Sequence, residues 1–485
     1  MILWGISANS HDAAITVIRD KQILFASQSE RYSGVKNDAH LNSDIIQDAQ
    51  YYGKPDIIIW YEKSWLKTLR QLRAGQGFKF FTNKPDVYLQ KYNISTPIIS
   101  VGHHHSHAAG GYYTSNFNEA AVLVIDAIGE FDTTTIWHGK GTKLEKKFSI
   151  NYPHSLGLWY SAMTQRVGLK PNEEEYILMG MAAYGDPFKY MQMIIDDFFN
   201  NSASLKLKHN LHRGCTWWRP ELTTEQDKYD IAAATQFIYE IYFGELLQKA
   251  KQLTQSDNLV LGGGCSLNCV ANNIAYEYFK NVWIMPNPGD AGNSLGAVLA
   301  YTQEHTSFVS PFLGHNIEGT YPVEELISEL NRVKIVGVAN GRAEFGPRAL
   351  GNRSLLADPR GIEIKDKVNE IKRRQKFRPF APSILQEHAH EYFDMITPHS
   401  PYMQYVMKCK RPEEFPAIIH ADGTSRVQTV TKQDNPGYHK LLTTWYEETG
   451  CPMLLNTSLN IKGKPIVNDR NDAAAFEKKY GVKVL

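Results

Sequence analysis

Cysteine is scarce in this 485-residue chain and odd in number. Cys215, Cys265, Cys269, Cys409 and Cys451 do not keep zinc-knuckle spacing, which argues against a disulfide framework and for a reducing, cytoplasmic setting. Cys265 and Cys269 flank a glycine-rich turn and read as small buried fillers rather than ligands. Long apolar runs are also lacking. None approaches the ~20 residues that cross a bilayer, and Met1 to Ser7 is too short and too uncharged for a secretory leader, so a soluble protein with no membrane partner is expected. Net charge is nearly absent as well: 52 Lys and Arg against 51 Asp and Glu leave +1, which excludes a chain basic throughout but not local basic faces. What is present is an ordinary globular composition, 42% hydrophobic and 21% charged, at a length that calls for two or three domains.

The most informative stretch is Val101-Gly102-His103-His104-His105-Ser106-His107-Ala108-Ala109-Gly110. It follows an apolar run, Pro97 to Val101, that reads as a buried strand, and its alanine-rich continuation reads as a helix start. His103 and His107 then lie four apart on one helix face, where two imidazoles can converge on one metal ion. Two acids occupy the places that further ligands take. Asp126 closes the apolar strand Ala121 to Ile125, and Asp290 lies in the turn Pro288-Gly289-Asp290-Ala291-Gly292 after the strand Val282 to Met285; the carboxyl ends of strands face the ligand crevice of α/β folds. Two His and two Asp suit a divalent ion such as iron, manganese or zinc. The alternative for the histidines is a polar, partly exposed helix start.

Residues 2–27 read as three strands joined by the polar turn Ser7 to Asp12 and a tight turn at Arg19-Asp20-Lys21. His11 beside Asp12 could be a base with a neighbouring acid, or part of an ordinary turn. Residues 63–84 carry Lys63, Lys67, Arg70, Arg73, Lys79 and Lys84, no acid, and Trp65, Phe78, Phe80 and Phe81 among them. A second acid-free stretch, 203–219, holds Lys206, Lys208, Arg213 and Arg219 beside Trp217 and Trp218. Basic charge mixed with aromatics is what holds phosphate backbones and stacks bases; the alternative is a solvated helix face over core aromatics. A long helix follows, with Thr223 and Gln226 as its capping box. Strand Leu259 to Leu261 and the turn Gly262-Gly263-Gly264 then give strand, glycine turn and helix, the arrangement whose backbone N–H groups receive phosphate. These repeats, with the hairpin opening, suggest a duplicated actin/sugar-kinase type of α/β fold over about the first 310 residues.

The pattern resets near Ser310 to Gly314. A helix Pro322 to Leu330 and a strand Lys334 to Val338 open a second domain. Between Arg342 and Arg378, seven Arg and four Lys face five acids, 11 − 5 = +6, in a chain whose total is +1. Arginines near glycines suggest phosphate recognition, with nucleic-acid binding as the competing reading.

Taken together, His103 to Ala109, Gly262 to Asn272, Pro288 to Gly292, Phe345-Gly346-Pro347-Arg348-Ala349-Leu350-Gly351-Asn352-Arg353-Ser354, Phe377 to Ser383 and Leu455-Asn456-Thr457-Ser458-Leu459-Asn460 resemble the O-carbamoyltransferases of nodulation-factor and antibiotic biosynthesis, the NodU/CmcH family. The resemblance implies residues 1–312 as an actin-like domain similar to tRNA threonylcarbamoyl transferases, and residues 313–485 as a YrdC-like α/β domain. The second would convert carbamoyl phosphate and ATP to carbamoyl-adenylate, and the first would transfer the carbamoyl group to an acceptor hydroxyl. By motif, His103, His107, Asp126 and Asp290 would hold the metal, commonly Fe(II), and His11 with Asp12 would serve at the acceptor. Gly129, Gly262, Gly263, Gly264 and Asn268 would meet the nucleotide. Arg348, Lys372, Arg378, Arg426, Asn456 and Ser458 would bind carbamoyl phosphate and ATP.

One departure stands out. Many relatives carry Glu-x-Lys before Met-Gly-Leu-Ala, where this chain has Glu175-Tyr176-Ile177-Leu178-Met179-Gly180-Met181-Ala182. Acceptor identity is therefore not carried over. The basic-aromatic stretches favour a hydroxymethylated pyrimidine in DNA, against a sugar or other small metabolite. A non-catalytic nucleotide-binding regulator and a homodimer are further alternatives.

Overall fold

The computed structural model describes residues 1–201 and 204–485. Ala203, the first residue of the second basic stretch, lies outside the described residues. The chain forms two compact units, the first Met1–Leu24 with Tyr51–Ser307, the second Phe25–Gln50 with Phe308–Leu485. Residues 25–50, expected with the first domain, group with the second.

The first unit is built on two five-stranded sheets with one strand order. In the first sheet, β1 (Ile2–Ser7) lies between β2 (Ala14–Arg19) and β4 (Ile57–Trp60), with β3 (Gln22–Gln28) beyond β2 and β5 (Ile98–Ser100) beyond β4. β1 runs antiparallel to β2 and parallel to β4, which is parallel to β5. The second sheet repeats this. Its β6 (Glu119–Ile125) is antiparallel to β7 (Asp132–Lys140), which pairs with β8 (Lys143–Asn151); on its other side β6 is parallel to β9 (Asn258–Gly262), and β9 to β10 (Asn281–Ile284). Central strands covered on both faces read as continuous apolar runs, and Val122, Leu123 and Val124 are fully buried. β5 is an edge strand and not the buried one expected: Ile99 is 36% exposed.

Equivalent helices follow the fifth strand of each sheet. α2 (His103–Thr114) comes after β5, and α5 (Asn293–Thr302) after β10; α1 (Ser64–Arg73), α3 (Glu175–Met181) and α4 (Glu225–Thr254) lie elsewhere in the unit. The capping box of α4 is Thr224 with Asp227, one residue on from the expected pair, because the Asp227 carboxylate reaches the Thr224 N–H while Gln226 bonds Asp230. α2 and α5 cross in close contact at Gly110 and Gly296. A Cβ on Gly296 would sit 2.0 Å from the Ser106 carbonyl oxygen, and one on Gly110 would sit 3.2 Å from the Gly296 Cα.

The second unit holds a mixed sheet in the order β11 (Ile335–Ala339), β12 (Arg353–Ala357), β15 (Met453–Ser458), β13 (Ala381–Leu385), β14 (Gln428–Val430). All pairings are antiparallel except β13 with β14. Among the described residues, no helix is long and apolar enough to cross a membrane.

Gly296→Ala drives a methyl into backbone that cannot retreat without parting α2 from α5. The variant is expected to lose roughly 1–3 kcal/mol of stability, read as a lower urea midpoint for the full chain; an unchanged midpoint would mean the crossing tolerates separation.

Candidate metal centre and anion site

α2 starts at Gly102, which has no side chain to cap it, and the Glu130 carboxylate takes that part. Its Oε1 accepts from the His103 N–H at 3.0 Å and from the Lys63 N–H at 2.8 Å, placing a negative charge at the helix N-terminus. This fixes the first turn. His103 and His107 then point the same way, with their Nε2 atoms 3.2 Å apart.

Asp126 and Asp290 reach the same point from the ends of β6 and β10, two strands of the second sheet. His103 Nε2 lies 3.2 Å from Asp126 Oδ2 and 3.4 Å from Asp290 Oδ1; for His107 Nε2 the distances are 3.8 and 3.3 Å. All four donor atoms fall within 4.8 Å of one another. A tetrahedral N/O set about 2.1 Å from an ion spaces its ligand atoms about 3.4 Å apart. Asp290 Oδ1 is buried with no hydrogen-bond donor. The two-His, two-Asp set therefore fits a divalent transition ion. Burial opposes charge on His103, but Asp290 and Asp126 hold its pKa well above the ordinary imidazole value. Burial likewise opposes charge on the carboxylates, yet the histidines keep Asp126 at about 2 and Asp290 well below the usual range. His104 is different: burial, then the His103 charge, pushes it well below normal, and its Nδ1 bonds Thr135 Oγ1 at 3.0 Å.

The glycine turn after β9 leads into a single 3-10 turn, Gly264 to Leu267, and two of its glycine N–H groups have acceptors within the protein. Gly263 N–H donates to the Pro288 carbonyl at 3.0 Å and Gly264 N–H to Asp126 Oδ1 at 3.1 Å. The turn thus ties one metal-ligating aspartate to the loop that carries the other. Gly263 must be glycine: its φ is +86°, and a Cβ would meet the Ile125 carbonyl oxygen at 2.2 Å. Asn268 exchanges hydrogen bonds with Gln236, at 3.0 and 3.2 Å, and caps Ala271. Gly129 lets its loop lie on the histidines, since a Cβ would come within 2.9 Å of His104 Cδ2.

His11 Nδ1 lies 3.0 Å from Asp12 Oδ2, with the imidazole 40% exposed. Burial lowers its proton affinity, but the hydrogen bond and charge of Asp12, helped by Asp290 and Asp126, raise the pKa to about 10. Ile177 is buried in α3, so the position of the family lysine holds a core side chain here and offers no polar contact.

In the second unit, α6 (Ile362–Lys372) ends on a buried lysine. Lys372 Nζ donates to Ser458 Oγ at 3.3 Å, Asn460 O at 3.0 Å and Asn460 Oδ1 at 2.8 Å, as well as to the Ser458 carbonyl. Burial pushes its pKa well below the ordinary lysine value, and the charges of Arg374 and Arg378 push it the same way. Asn456 Nδ2 bonds Ala349 O at 3.1 Å, Ser383 Oγ at 2.9 Å and Gln428 Oε1 at 2.9 Å, tying the Arg348 loop to three strands. Arg426 lies two residues before Gln428, and its Nε is buried with no partner.

The arginine cluster is not one pocket. Arg353 is fully buried and donates to five carbonyls, those of His315, Asn340, Gly341, Asn352 and Asn468. Arg360 pairs with Asp358 at 2.8 Å, Arg374 bonds Asn369 and covers the Phe380 ring, and Arg342 bonds the Leu313 and Gly314 carbonyls. These four hold the fold. Three residues were missed from sequence. Glu130 and the fully buried Asn293, whose Nδ2 is 3.0 Å from His107 Nε2, brace the metal centre. Arg31, in the 25–50 segment of the second unit, bonds the Gly346 carbonyl at 3.0 Å and keeps Nε and Nη1 buried without partners. Only Glu130, an acid shortly after a strand-end aspartate, left a signal.

Two family models match this chain, carbamoyltransferase N-terminus over residues 58–299 and carbamoyltransferase C-terminus over residues 327–485. It is 34% identical to the uncharacterized protein sll1178 of Synechocystis, over 97% of this chain and 93% of that one. It is 30% identical to nodulation protein NolNO of Sinorhizobium fredii, over 96% and 76%. With the 3'-hydroxymethylcephem-O-carbamoyltransferase of Amycolatopsis lactamdurans it shares 26% identity, over 97% and 95%. The chain belongs to the carbamoyltransferase family and is an enzyme of that class.

The ligand set predicts close to one equivalent of Fe(II), Mn(II) or Zn(II) per chain after dialysis, measured by elemental analysis, with melting temperature falling on chelation. His107→Ala should retain well under half of that metal. A wild-type chain that keeps none of the three ions would remove the assignment.

Proposed function

We propose that this enzyme is an O-carbamoyltransferase using carbamoyl phosphate and ATP, with the two-His, two-Asp centre of the first unit as the observation that carries the reading. The first unit, with its duplicated strand order, is read as the actin/sugar-kinase type shared with threonylcarbamoyl transferases. The second is read as YrdC-like. There, water hydrolyses carbamoyl phosphate to carbamate and phosphate, and the carbamate oxygen attacks the ATP α-phosphorus to form carbamoyl-adenylate and expel pyrophosphate. In the first unit the acceptor oxygen attacks the carbamoyl carbon, AMP leaves, and the hydroxyl proton passes to a base.

The electrostatics of each unit support its role. Burial and the charges of Arg374 and Arg378 disfavour the charged form of Lys372, and an anionic phosphate at that point would offset both. A divalent ion in the first unit would supply a Lewis acid for the phosphate or carbonyl oxygen. His103, His107, Asp126 and Asp290 would hold it. His11, held by Asp12 at 3.0 Å, would serve at the acceptor hydroxyl.

For the acceptor, we favour the hydroxymethyl group of a pyrimidine in DNA, with a small metabolite as the second reading. A relative named for a hydroxymethyl acceptor supports the group, and the basic-aromatic stretch 63–84 supports the polymer. The retained ligand set argues against a non-catalytic regulator.

Purified protein, ATP and carbamoyl phosphate should add a carbamoyl mass to hydroxymethylcytosine in DNA, detected by mass spectrometry beside a panel of sugars. His103→Ala should lower transfer at least ~100-fold while carbamoyl phosphate-dependent pyrophosphate release continues. A mass gain on a sugar alone would reject the DNA acceptor, and a variant that keeps full transfer would reject the assignment of the centre.

A further inference from the structure

α1 is inside out. Its inward face is polar, with Lys67, Thr68, Arg70 and Gln71 all buried, and its outward face is apolar. Lys67 Nζ pairs with Glu62 at 2.6 Å and bonds the Asn9 carbonyl at 3.1 Å, while Thr68 and Gln71 both bond Asn83. Outside, Trp65, Leu69 and Leu72 stand at helical spacing, followed by Phe78 and Phe81. These five side chains are between 46% and 68% exposed, a concentration of apolar surface that a soluble protein does not keep without a use. The expected basic face thus differs in kind from the observed one: two of its six bases turn inward, and the remaining four rim an apolar patch.

The rim selects the occupant. Lys63, Arg73, Lys79 and Lys84 are interleaved with these side chains, with no acid between residues 63 and 84, and Lys84 lies over the Phe80 and Phe81 rings, which disfavours a second copy of the same face and favours a polyanion. The apolar part selects further. Phe78 and Phe80 are stacked at an interplanar angle of 13°, and Lys84 Nζ lies 5.0 Å from the Phe80 ring centroid, a platform for π-faces with a cation at its edge. Aromatic rings that stack bases, aliphatic side chains that wedge between them, and lysines on phosphates are the combination that holds an unstacked strand. Position agrees. α1 begins directly after Lys63, whose N–H shares the Glu130 oxygen with the metal ligand His103.

We infer that the outward face of α1 and the turn after it, Trp65, Leu69, Leu72, Phe78 and Phe81 with their basic rim, is a docking surface for a single-stranded or locally unstacked polynucleotide. It holds the strand beside the metal centre. An enzyme acting on a base must take that base out of the stack, and apolar side chains at the entrance perform that step. The inference rests on the DNA-acceptor reading above.

The test is fluorescence anisotropy of a labelled 20-nucleotide single strand with the full chain. Phe78→Ser/Phe81→Ser and Lys79→Glu/Lys84→Glu should each weaken binding by about tenfold or more at unchanged melting temperature, and the charge variant should also flatten the salt dependence. Binding equal to wild type in both variants overturns the inference. So does a wild-type chain that ignores the strand but floats with vesicles of three parts phosphatidylcholine to one part phosphatidylglycerol, which would make the patch a lipid surface. Carbamoylation of hydroxymethylcytosine DNA separates the two readings. Strand binding through this face with no mass gain supports the docking surface and removes the acceptor; an undiminished mass gain in both variants removes the docking surface and keeps the acceptor.

Discussion

The first unit depends on the close approach of α2 and α5 at Gly110 and Gly296. These helices occupy equivalent places after the two repeated sheets, and each brings candidate metal ligands at its amino end: His103 and His107 in the opening turns of α2, Asp290 just before α5. Two side chains larger than hydrogen at the crossing would hold the helices apart by more than an ångström. The Nε2 atoms and Asp290 Oδ1, now 3.3 to 3.4 Å apart, would then no longer share one ion. Backbone contact at one point of the core thus sets ligand geometry at its edge.

The two units solve opposite electrostatic problems. The first buries carboxylates against imidazoles, a set that balances itself and can exchange its protons for a cation. The second buries Lys372 among carbonyl and hydroxyl oxygens, with Arg374 and Arg378 as like-charged neighbours and no carboxylate among its hydrogen-bond partners. Burying an ammonium without a counter-charge costs several kcal/mol in general. A site built this way is stabilised by an arriving anion.

Much of the metal centre was legible because local rules fix it. A four-residue spacing on a helix and acids at strand ends need no knowledge of the rest of the chain. The glycine turn shows the converse. Gly262 to Gly264 look like a phosphate cradle from sequence, and only the long-range approach of Asp126 and Pro288 reveals that the N–H groups of Gly263 and Gly264 have acceptors within the protein. Charge counting failed similarly between Arg342 and Arg378, since sequence does not distinguish an arginine that binds five backbone carbonyls from one that awaits a ligand. Residues 25–50 carry an amphipathic helix, Ser43–Tyr51, whose pattern is the same whichever core it joins. α1 escaped pattern reading altogether, because periodicity locates an apolar face without saying that it points outward.

The division of charge between the units bears on why one chain would carry two sites. Lys372 sits among neutral oxygens with Arg374 and Arg378 as like-charged neighbours, a setting that favours an anion, whereas His103 and His107 face Asp126 and Asp290, a setting that favours a cation. Under the reading proposed above, carbamate freed from its phosphate is short-lived in water, so the pocket that releases it would also have to convert it to the mixed anhydride before release.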